Sequence, residues 1–320
     1  MSEKYYLGID GGGTKTEAVL CDERGRILAH LFCGATNAND IGVSVAIERL
    51  SSMIHQAHDL LIEKDSVLYV FCGIAGALNH RETLIPMLSD MFPSDKLDVN
   101  SDAFNLLSSE LYDSKGCCLI CGTGSVCFVR RGSEIFRIGG WGYLLDQSGS
   151  GYAMGRDALE ASLRAHDGRG DATMLTGALM EKLGGAPWDK LTEIYEGGKA
   201  FIASFAPCVF ACAEEGDRIA FEILFRQARY LAEMLEAAYQ WRGDWETPLD
   251  VVLGGGIFQA KSDLLSLIKQ NITDPIHLSV TSVPPVFGAV WEAVRMGSET
   301  VTSQQYLSIR NCFMQDYSRQ

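Results

Sequence analysis

Residues Leu7–Leu20 read LGIDGGGTKTEAVL, and this stretch decides the predicted fold. Apolar residues alternate with others on both sides of three consecutive glycines, which indicates two strands joined by a tight turn. Because glycine has no Cβ, backbone amides in this turn can approach a phosphate closely, and the Thr14 hydroxyl adds a donor. Asp10, at the end of the first strand, is placed to hold Mg²⁺ beside the phosphates. Taken alone, the segment favours a hairpin that binds nothing.

Two further glycine turns change that balance. Gly122-Thr123-Gly124-Ser125 repeats the turn between strands, and Gly254-Gly255-Gly256 follows another apolar strand. Three such turns fit one nucleotide, since two hairpins can clamp its phosphates while the third leaves bare backbone against the adenosine. Neither a Walker pattern nor a dinucleotide fingerprint is present in the sequence. The predicted nucleotide-binding residues are Gly11, Gly12, Gly13, Thr14, Lys15, Gly122, Thr123, Gly124, Ser125, Gly254, Gly255 and Gly256.

The same order of predicted strands occurs twice. They are Lys4–Ile9, Thr16–Asp22 and Arg26–Cys33 in the first half, and Cys117–Cys121, Ser125–Arg130 and Glu134–Ile138 in the second. This repeat predicts an α/β fold of two similar domains, each a mixed sheet flanked by helices, facing a shared cleft. The predicted boundaries are 1–113, 114–298 with a helical insertion, and a tail, 299–320, that could pack back on the first domain.

Hydrophobic periodicity places the remaining elements. Predicted helices are Val43–Ile62, Arg81–Met91, Asp217–Trp241 and Val286–Met296, and predicted strands are Val67–Ile74, Leu97–Asn100 and Asp250–Leu253. The region from Gly151 to Gly243 is mostly helical, and the tail has too weak a pattern to assign.

Composition excludes several partners. The 320 residues carry a net charge of −14, which argues against nucleic acid or an anionic membrane as a partner. A polyphosphate on so acidic a protein needs backbone amides and a divalent cation rather than a basic pocket. No apolar run approaches the length of a membrane span, and no signal peptide is apparent. We therefore expect a cytoplasmic protein.

The ten cysteines are scattered, as expected for reduced thiols in the cytosol. Cys118 and Cys121 have the spacing of half a zinc site, and Cys208 and Cys212 lie one helical turn apart. Because neither pair has an evident second half, core packing is favoured over metal binding for both.

In their order, these motifs resemble the actin, hexokinase and heat-shock ATPase superfamily, and within it the BadF/BadG/BcrA/BcrD ATPase and N-acetylglucosamine kinase family. The resemblance covers residues 7 to about 295. The matching segments are LGIDGGGTKTEAVL, ATNAND around Asn37, GIAGA (Gly73–Ala77), NSDAFNLL around Asp102, CGTGSVCFV around Thr123, GGWGYLL (Gly139–Leu145), EEGDRIAFEIL around Asp217, LGGGIF around Gly255 and PPVFGAVWEAV.

The resemblance implies two actin-like ATPase (ribonuclease H-like) domains and transfer of the γ-phosphate of ATP, with Mg²⁺, to a hydroxyl of an amino sugar, with O6 the family precedent. It implies a homodimer. Asp102 matches the family's catalytic base, which accepts the proton of the attacking hydroxyl. Without the resemblance, a role for Asp102 as the N-cap of the next helix is as good an interpretation.

The residues that match the family's sugar contacts are Asn37, Gly76, Gly140, Trp141, Asp146 and Gln147. Loop formation is the alternative for Asn37, and core packing for Trp141. The family usually has Trp-Gly-x-x-x-Gly-Asp-Glu-Gly-Ser, whereas here Gln147 replaces the Asp and Asp146 lies one place earlier. Glutamine is uncharged and donates as well as accepts hydrogen bonds, so the sugar stays open among N-acetylglucosamine, glucosamine, N-acetylmuramate and others.

Three other functions remain open. The first is an ATPase that activates a dehydratase or reductase through an iron–sulfur cluster held by cysteines, with Cys208 and Cys212 as the only tempting pair. The second is a kinase or repressor of the ROK type, which shares Gly-Gly-Thr-Lys but typically carries a cysteine-rich zinc motif. The third is a sensor that binds nucleotide and sugar without turnover.

Overall fold

The computed structural model describes residues 3–61, 66–90, 96–113, 115–146, 148–243, 248–260 and 262–319. Ile62, Met91 and Gln147, which fall in predicted features, lie outside these ranges. The chain divides into two compact units, Met1–Lys115 with Thr281–Gln320, and Gly116–Val280. Within the described residues, each unit contains one five-stranded sheet.

The strands of both sheets follow the predicted pattern closely. They are β1 (Lys4–Gly11), β2 (Lys15–Asp22), β3 (Ile27–Gly34), β4 (Val67–Ile74), β5 (Leu97–Asn100), β6 (Lys115–Cys121), β7 (Ser125–Arg131), β8 (Glu134–Ile138), β9 (Leu249–Gly254) and β10 (Ile276–Val280). Sequence periodicity missed β10, whose residues are all at least partly exposed.

The two sheets have the same strand order. The first is β3-β2-β1-β4-β5 and the second is β8-β7-β6-β9-β10. The β1–β2 and β7–β8 pairs are antiparallel, whereas the β1–β4 and β6–β9 pairs are parallel. Each sheet is therefore mixed, and the predicted repeat of an α/β unit is confirmed.

Helices flank both sheets. They are α1 (Ala38–Ile41), α2 (Val43–Asp59), α3 (Arg81–Ser89), α4 (Ala103–Glu110), α5 (Gly151–His166), α6 (Leu175–Leu183), α7 (Leu191–Ala203), α8 (Ala206–Glu214), α9 (Arg218–Trp241), α10 (Gly256–Ala260), α11 (Ser262–Asn271), α12 (Pro285–Met296) and α13 (Ser303–Tyr317). Each unit has its own buried apolar cluster beneath its sheet. Among the described residues, no helix is both long and apolar enough to cross a bilayer.

The first unit includes α12, although residues up to 298 were predicted to belong to the second domain. Glycines bring α12 into close contact with the first sheet and α4. A Cβ on Gly288 would lie 1.8 Å from the Asn105 carbonyl oxygen, and one on Gly8 would lie 2.2 Å from the Val290 nitrogen. Such backbone-to-backbone contact cannot be predicted from the local sequence. It places the segment from Thr281 onward in the first unit rather than in the second.

The tail forms α13, which packs on the first unit. Its N-cap is Thr302, whose hydroxyl accepts a hydrogen bond from the Gln305 amide at 3.1 Å. Tyr306 donates to the Ser109 carbonyl at 2.6 Å, and Tyr317 donates to Glu17 at 2.8 Å. The tail is thus joined to both α4 and β2.

Replacing Gly288 with Ala is expected to lower the free energy of unfolding by about 3 kcal/mol, because the new methyl group must push α12 away from α4. The matched control is Gly177→Ala in α6, an exposed helical position where a Cβ would contact nothing within 4 Å. It should be neutral or stabilise by up to about 1 kcal/mol. Thermal unfolding measures both, and equal midpoints for the two variants would contradict this packing.

Candidate active site

Asp10 lies at the carboxyl end of β1 and is held in place by α4. Its Oδ1 accepts a hydrogen bond from the Asn105 side-chain amide at 2.6 Å, and the same amide donates to the Gly73 carbonyl at 2.9 Å. A Cβ at residue 73 would lie 1.9 Å from Asn105 Oδ1, so a larger residue there would displace the Asn105 side chain. Sequence reasoning missed Asn105, which is fully buried and acts only through this tertiary contact.

Two carboxyl groups lie near each other in the first unit. The pKa of Asp10 is raised to about 6, chiefly by burial; the Asn105 hydrogen bond opposes this rise, and the charges of Asp102 and Glu17 add to it. Burial also raises the pKa of Asp102, while hydrogen bonds from Ser101 and the Ala103 backbone lower it. Titratable groups with raised pKa values, brought together at the ends of strands, are typical of catalytic sites.

Asp102 occupies the N-cap position of α4, but its side chain makes no capping hydrogen bond. The Ser101 hydroxyl accepts from the Ala103 amide at 3.2 Å and donates to Asp102 Oδ1 at 3.1 Å. The lack of a capping hydrogen bond weighs against the N-cap alternative, and the catalytic role of Asp102 stays a prediction.

The Gly11–Lys15 segment forms the predicted turn. The Gly12 amide donates to the Lys15 carbonyl at 3.0 Å and closes it. Gly11 packs closely against the loop that contains Thr36: a Cβ on Gly11 would lie 2.2 Å from Thr36 Oγ1. Gly13, Thr14 and Lys15 are exposed at the tip, where they can meet a ligand.

Asn37 and Gly76, which were predicted separately, lie in contact. Asn37 caps α1 through a hydrogen bond from the Asn39 amide at 3.1 Å, and it donates to Asp40 at 2.7 Å. Gly76 has a φ of +75°, and a Cβ there would lie 2.6 Å from Asn37 Oδ1. His80 Nε2 lies 2.9 Å from Asn39 Oδ1. We define the polar cluster as Asn37, Asn39, Asp40, Gly76 and His80. Sequence reasoning missed Asn39, Asp40 and His80.

The polar cluster borders the tip of the glycine turn. A Cβ on Gly13 would lie 3.2 Å from Asp40 Oδ2. The amide, carboxylate and imidazole groups of this cluster have the chemistry to bind sugar hydroxyl groups, which both donate and accept hydrogen bonds. Within the first unit, the exposed glycine turn and the polar cluster are thus neighbours.

In the second unit, the Gly122–Ser125 turn joins β6 to β7. The Gly122 amide donates to the Gly124 carbonyl at 2.8 Å, and the Gly151 and Tyr152 amides at the start of α5 donate to the Gly122 and Thr123 carbonyls. The Ser125 hydroxyl is buried and donates to the Ser148 carbonyl at 2.6 Å. The side chain of Ser125 thus holds a neighbouring loop.

The second and third glycine turns line one cavity of about 390 Å³. Gly122 and Thr123 line one part of it, and Gly256, at the start of α10, lines another. Gly255 has a φ of +97°, and a Cβ there would lie 2.2 Å from the Cys121 carbonyl oxygen, so only glycine fits. A volume in this range is typical of small-molecule sites.

The Gly139–Asp146 loop presents an exposed indole. Trp141 is 62% exposed, so the core-packing alternative for it is wrong. The Arg137 guanidinium lies over the Trp141 ring, 4.8 Å from its centroid, and donates to the Gly139 and Gly140 carbonyls. The Asp146 amide donates to the Gly142 carbonyl at 2.7 Å and closes the loop. The predicted contacts Gly140, Trp141 and Asp146 therefore lie in one loop of the second unit.

Gly149, just after this loop, is fixed by groups that sequence reasoning missed. Its amide donates to Gln227 Oε1 at 2.6 Å, and its carbonyl accepts from the Cys121 thiol at 2.9 Å. Gln227 is buried and also donates to Asp157 at 2.6 Å. These contacts connect α9 and β6 to the segment between the Gly139–Asp146 loop and α5.

Residues 7–293 match the model of the BadF/BadG/BcrA/BcrD ATPase family. The chain belongs to this family. It is 31% identical over 317 residues to N-acetyl-D-glucosamine kinase of Dictyostelium discoideum, covering 91% of this chain and 98% of that one. It is 29% identical over 261 residues to N-acetylmuramic acid/N-acetylglucosamine kinase of Clostridium acetobutylicum, covering 79% and 85% respectively.

A solved structure adds to the assignment of the fold. The crystal structure of a protein from Chromobacterium violaceum, described as a putative N-acetylglucosamine kinase, has a TM-score of 0.68 at 24% identity and covers 90% of this chain and 98% of its own. At this identity the likeness establishes the fold alone. It confirms two actin-like ATPase domains for this member of the BadF/BadG/BcrA/BcrD family.

The surroundings of Cys212 in this family member favour core packing over binding of a cluster. Cys212 lies on α8 in the apolar core of the second unit, and burial raises its pKa to about 11. A cluster ligand must be a thiolate, which this environment disfavours. In the described ranges, no group of three or more His, Cys, Asp and Glu side chains is arranged to hold a metal.

Proposed function

We propose that the protein is an ATP-dependent kinase that transfers the γ-phosphate to a hydroxyl group of an amino sugar. Its family is one of ATPases, and its curated relatives are kinases of N-acetylglucosamine and related sugars. The observation that carries the proposal is that three features lie close together in the first unit: the exposed glycine turn, the polar cluster and the Asp10–Asp102 pair. These are the parts that phosphoryl transfer to a hydroxyl requires.

Each group then has a role. Asp102 accepts the proton of the attacking hydroxyl, and its raised pKa brings it closer to the working pH, which favours a general base. Both glycine hairpins bind phosphates through backbone amides, and Gly254–Gly256 leaves bare backbone for the adenosine. The residues assigned to the sugar are Asn37, Gly76, Gly140, Trp141, Asp146 and Gln147.

Mg²⁺ fits Asp10 as a shared ligand. Among the described residues, no three His, Cys, Asp or Glu side chains are arranged to hold a metal, so we propose a site that substrate phosphates complete. A single carboxylate together with substrate phosphates is the usual way in which proteins bind Mg²⁺. Asn105 orients the Asp10 carboxylate for this role. When bound, Mg²⁺ neutralises charge on the phosphates.

The finer assignments rest on the resemblance. We assign the hydroxymethyl oxygen, O6, as the acceptor, and N-acetylglucosamine, glucosamine and N-acetylmuramate as candidate substrates. A homodimer and a cytoplasmic location remain predictions.

A coupled assay of ADP release across hexoses, amino sugars and their N-acetyl forms tests the proposal. We expect ADP release to depend on an added sugar and to be fastest with an amino sugar. Rapid ATP hydrolysis without sugar would instead favour an ATPase activator, and nucleotide binding without any turnover would favour a sensor.

A further inference from the structure

The cavity of the second unit has walls with few polar side chains. Ala200 and Ala203 from α7, Ala206 and Phe210 from α8, and Ile257 from α10 supply apolar surface. Among the described lining residues, only Thr123 and Ser204 carry a polar side-chain atom. Thr123 belongs to the turn assigned to phosphate, which leaves Ser204 as the one side chain of the wall that could read a base.

The polar groups of Ser204 are already engaged. Its hydroxyl donates to the Phe201 carbonyl at 2.6 Å, so its only hydrogen is used within α7. Its own carbonyl accepts a hydrogen bond from the Lys182 ammonium. Its amide donates to the carbonyls of Ala200 and Phe201. Ser204 therefore serves to end α7 and has no donor left for a ligand.

The side chains of this wall would hold a purine base by apolar contact. Adenine and guanine differ only in the groups on their edges, and recognition of an edge needs hydrogen-bonding partners. A site built to hydrogen-bond a substrate rejects an analogue that lacks the group by about 10⁴-fold or more, whereas an apolar pocket discriminates by about 10²-fold at most. Water can satisfy the base edge in a cavity of about 390 Å³.

We propose that this pocket accepts purine bases without reading their edges, so that GTP serves as a phosphoryl donor beside ATP. The inference rests on the proposed function, because it takes the cavity as the site of the donor's base. In this proposal the apolar surface at the end of α7 and the start of α8 holds the base, and no single polar side chain selects one purine over another.

The test compares kcat/KM for ATP, GTP and purine riboside 5′-triphosphate, which lacks the 6-amino group, with the best acceptor sugar. We expect GTP to lie within about 100-fold of ATP, and the purine analogue within about 10-fold. A larger loss with either donor would overturn the inference while leaving sugar kinase activity with ATP intact. Calorimetry with ADP and GDP gives the same comparison without turnover, so a failure of the kinase assignment is detected separately.

The Ser204→Ala variant examines the one polar side chain in the base wall. Because its hydrogen is donated to Phe201, we expect the ratio of the ATP and GTP values of kcat/KM to change by less than about threefold. A larger change in this ratio would show that Ser204 reads the base and would overturn the inference.

Discussion

The Asp102→Asn variant is expected to lower kcat by about 10³-fold while the affinity for a non-hydrolysable ATP analogue changes by less than about threefold. Asparagine has nearly the same shape and can keep the hydrogen bond from Ser101, but it cannot accept a proton. Steady-state kinetics and calorimetry measure the two quantities. Loss of kcat without loss of nucleotide affinity is what removal of a general base produces.

The matched control is Asp113→Asn, which removes an exposed carboxylate of the same unit that accepts a hydrogen bond from the Lys115 amide. Its kcat should stay within about twofold of the unchanged protein, as is usual for exposed surface positions. Equal kcat for Asp102→Asn and Asp113→Asn would remove Asp102 from the mechanism.

The Asp10→Asn variant is expected to lower kcat/KM by at least about 100-fold and to raise the Mg²⁺ concentration needed for half-maximal rate. Asparagine keeps the shape of the side chain but loses the charge that a divalent cation requires. Titration of the rate with Mg²⁺ at fixed ATP measures the effect. An unchanged Mg²⁺ requirement would contradict the role assigned to Asp10.

The same variant should alter how stability depends on pH. The pKa of Asp10 is raised to about 6 in the folded protein, so between about pH 4 and 6 the folded state binds more protons than the unfolded chain. Stability contributed by this group therefore falls as pH rises through that window, by about 3 kcal/mol in total. The difference in unfolding free energy between the Asp10→Asn variant and the unchanged protein should shift in the variant's favour across the window. A pH-independent difference would contradict the raised pKa.

Most of the fold could be predicted because its signals are local. Alternating apolar residues around glycine turns mark the strands that open each unit. This pattern is readable because each strand is joined to the next by a short turn. The assignment of α12 to the first unit depends instead on Gly8 and Gly288 meeting distant backbone. The tail helix α13 was missed because its apolar face is narrow, with Tyr306, Ile309 and Phe313 as its buried residues.

The candidate site divides in the same way. The glycine turns have a local sequence signature, whereas Asp102 was singled out only by the resemblance to the family, and its role stays a prediction. Asn105, His80 and Gln227 act by contacting residues far away in sequence, and no nearby pattern marks them. Only the folded structure shows that the absence of a Cβ on Gly73 leaves room for the Asn105 side chain beside Asp10.

The most direct measurement is ³¹P NMR of the protein with ATP, Mg²⁺ and N-acetylglucosamine, followed over time. We expect the γ-phosphate signal to decline while a phosphomonoester signal of the sugar grows in equal amount to ADP. If inorganic phosphate appears in place of a sugar phosphate, or ATP stays unchanged with every amino sugar offered, the protein is not a sugar kinase.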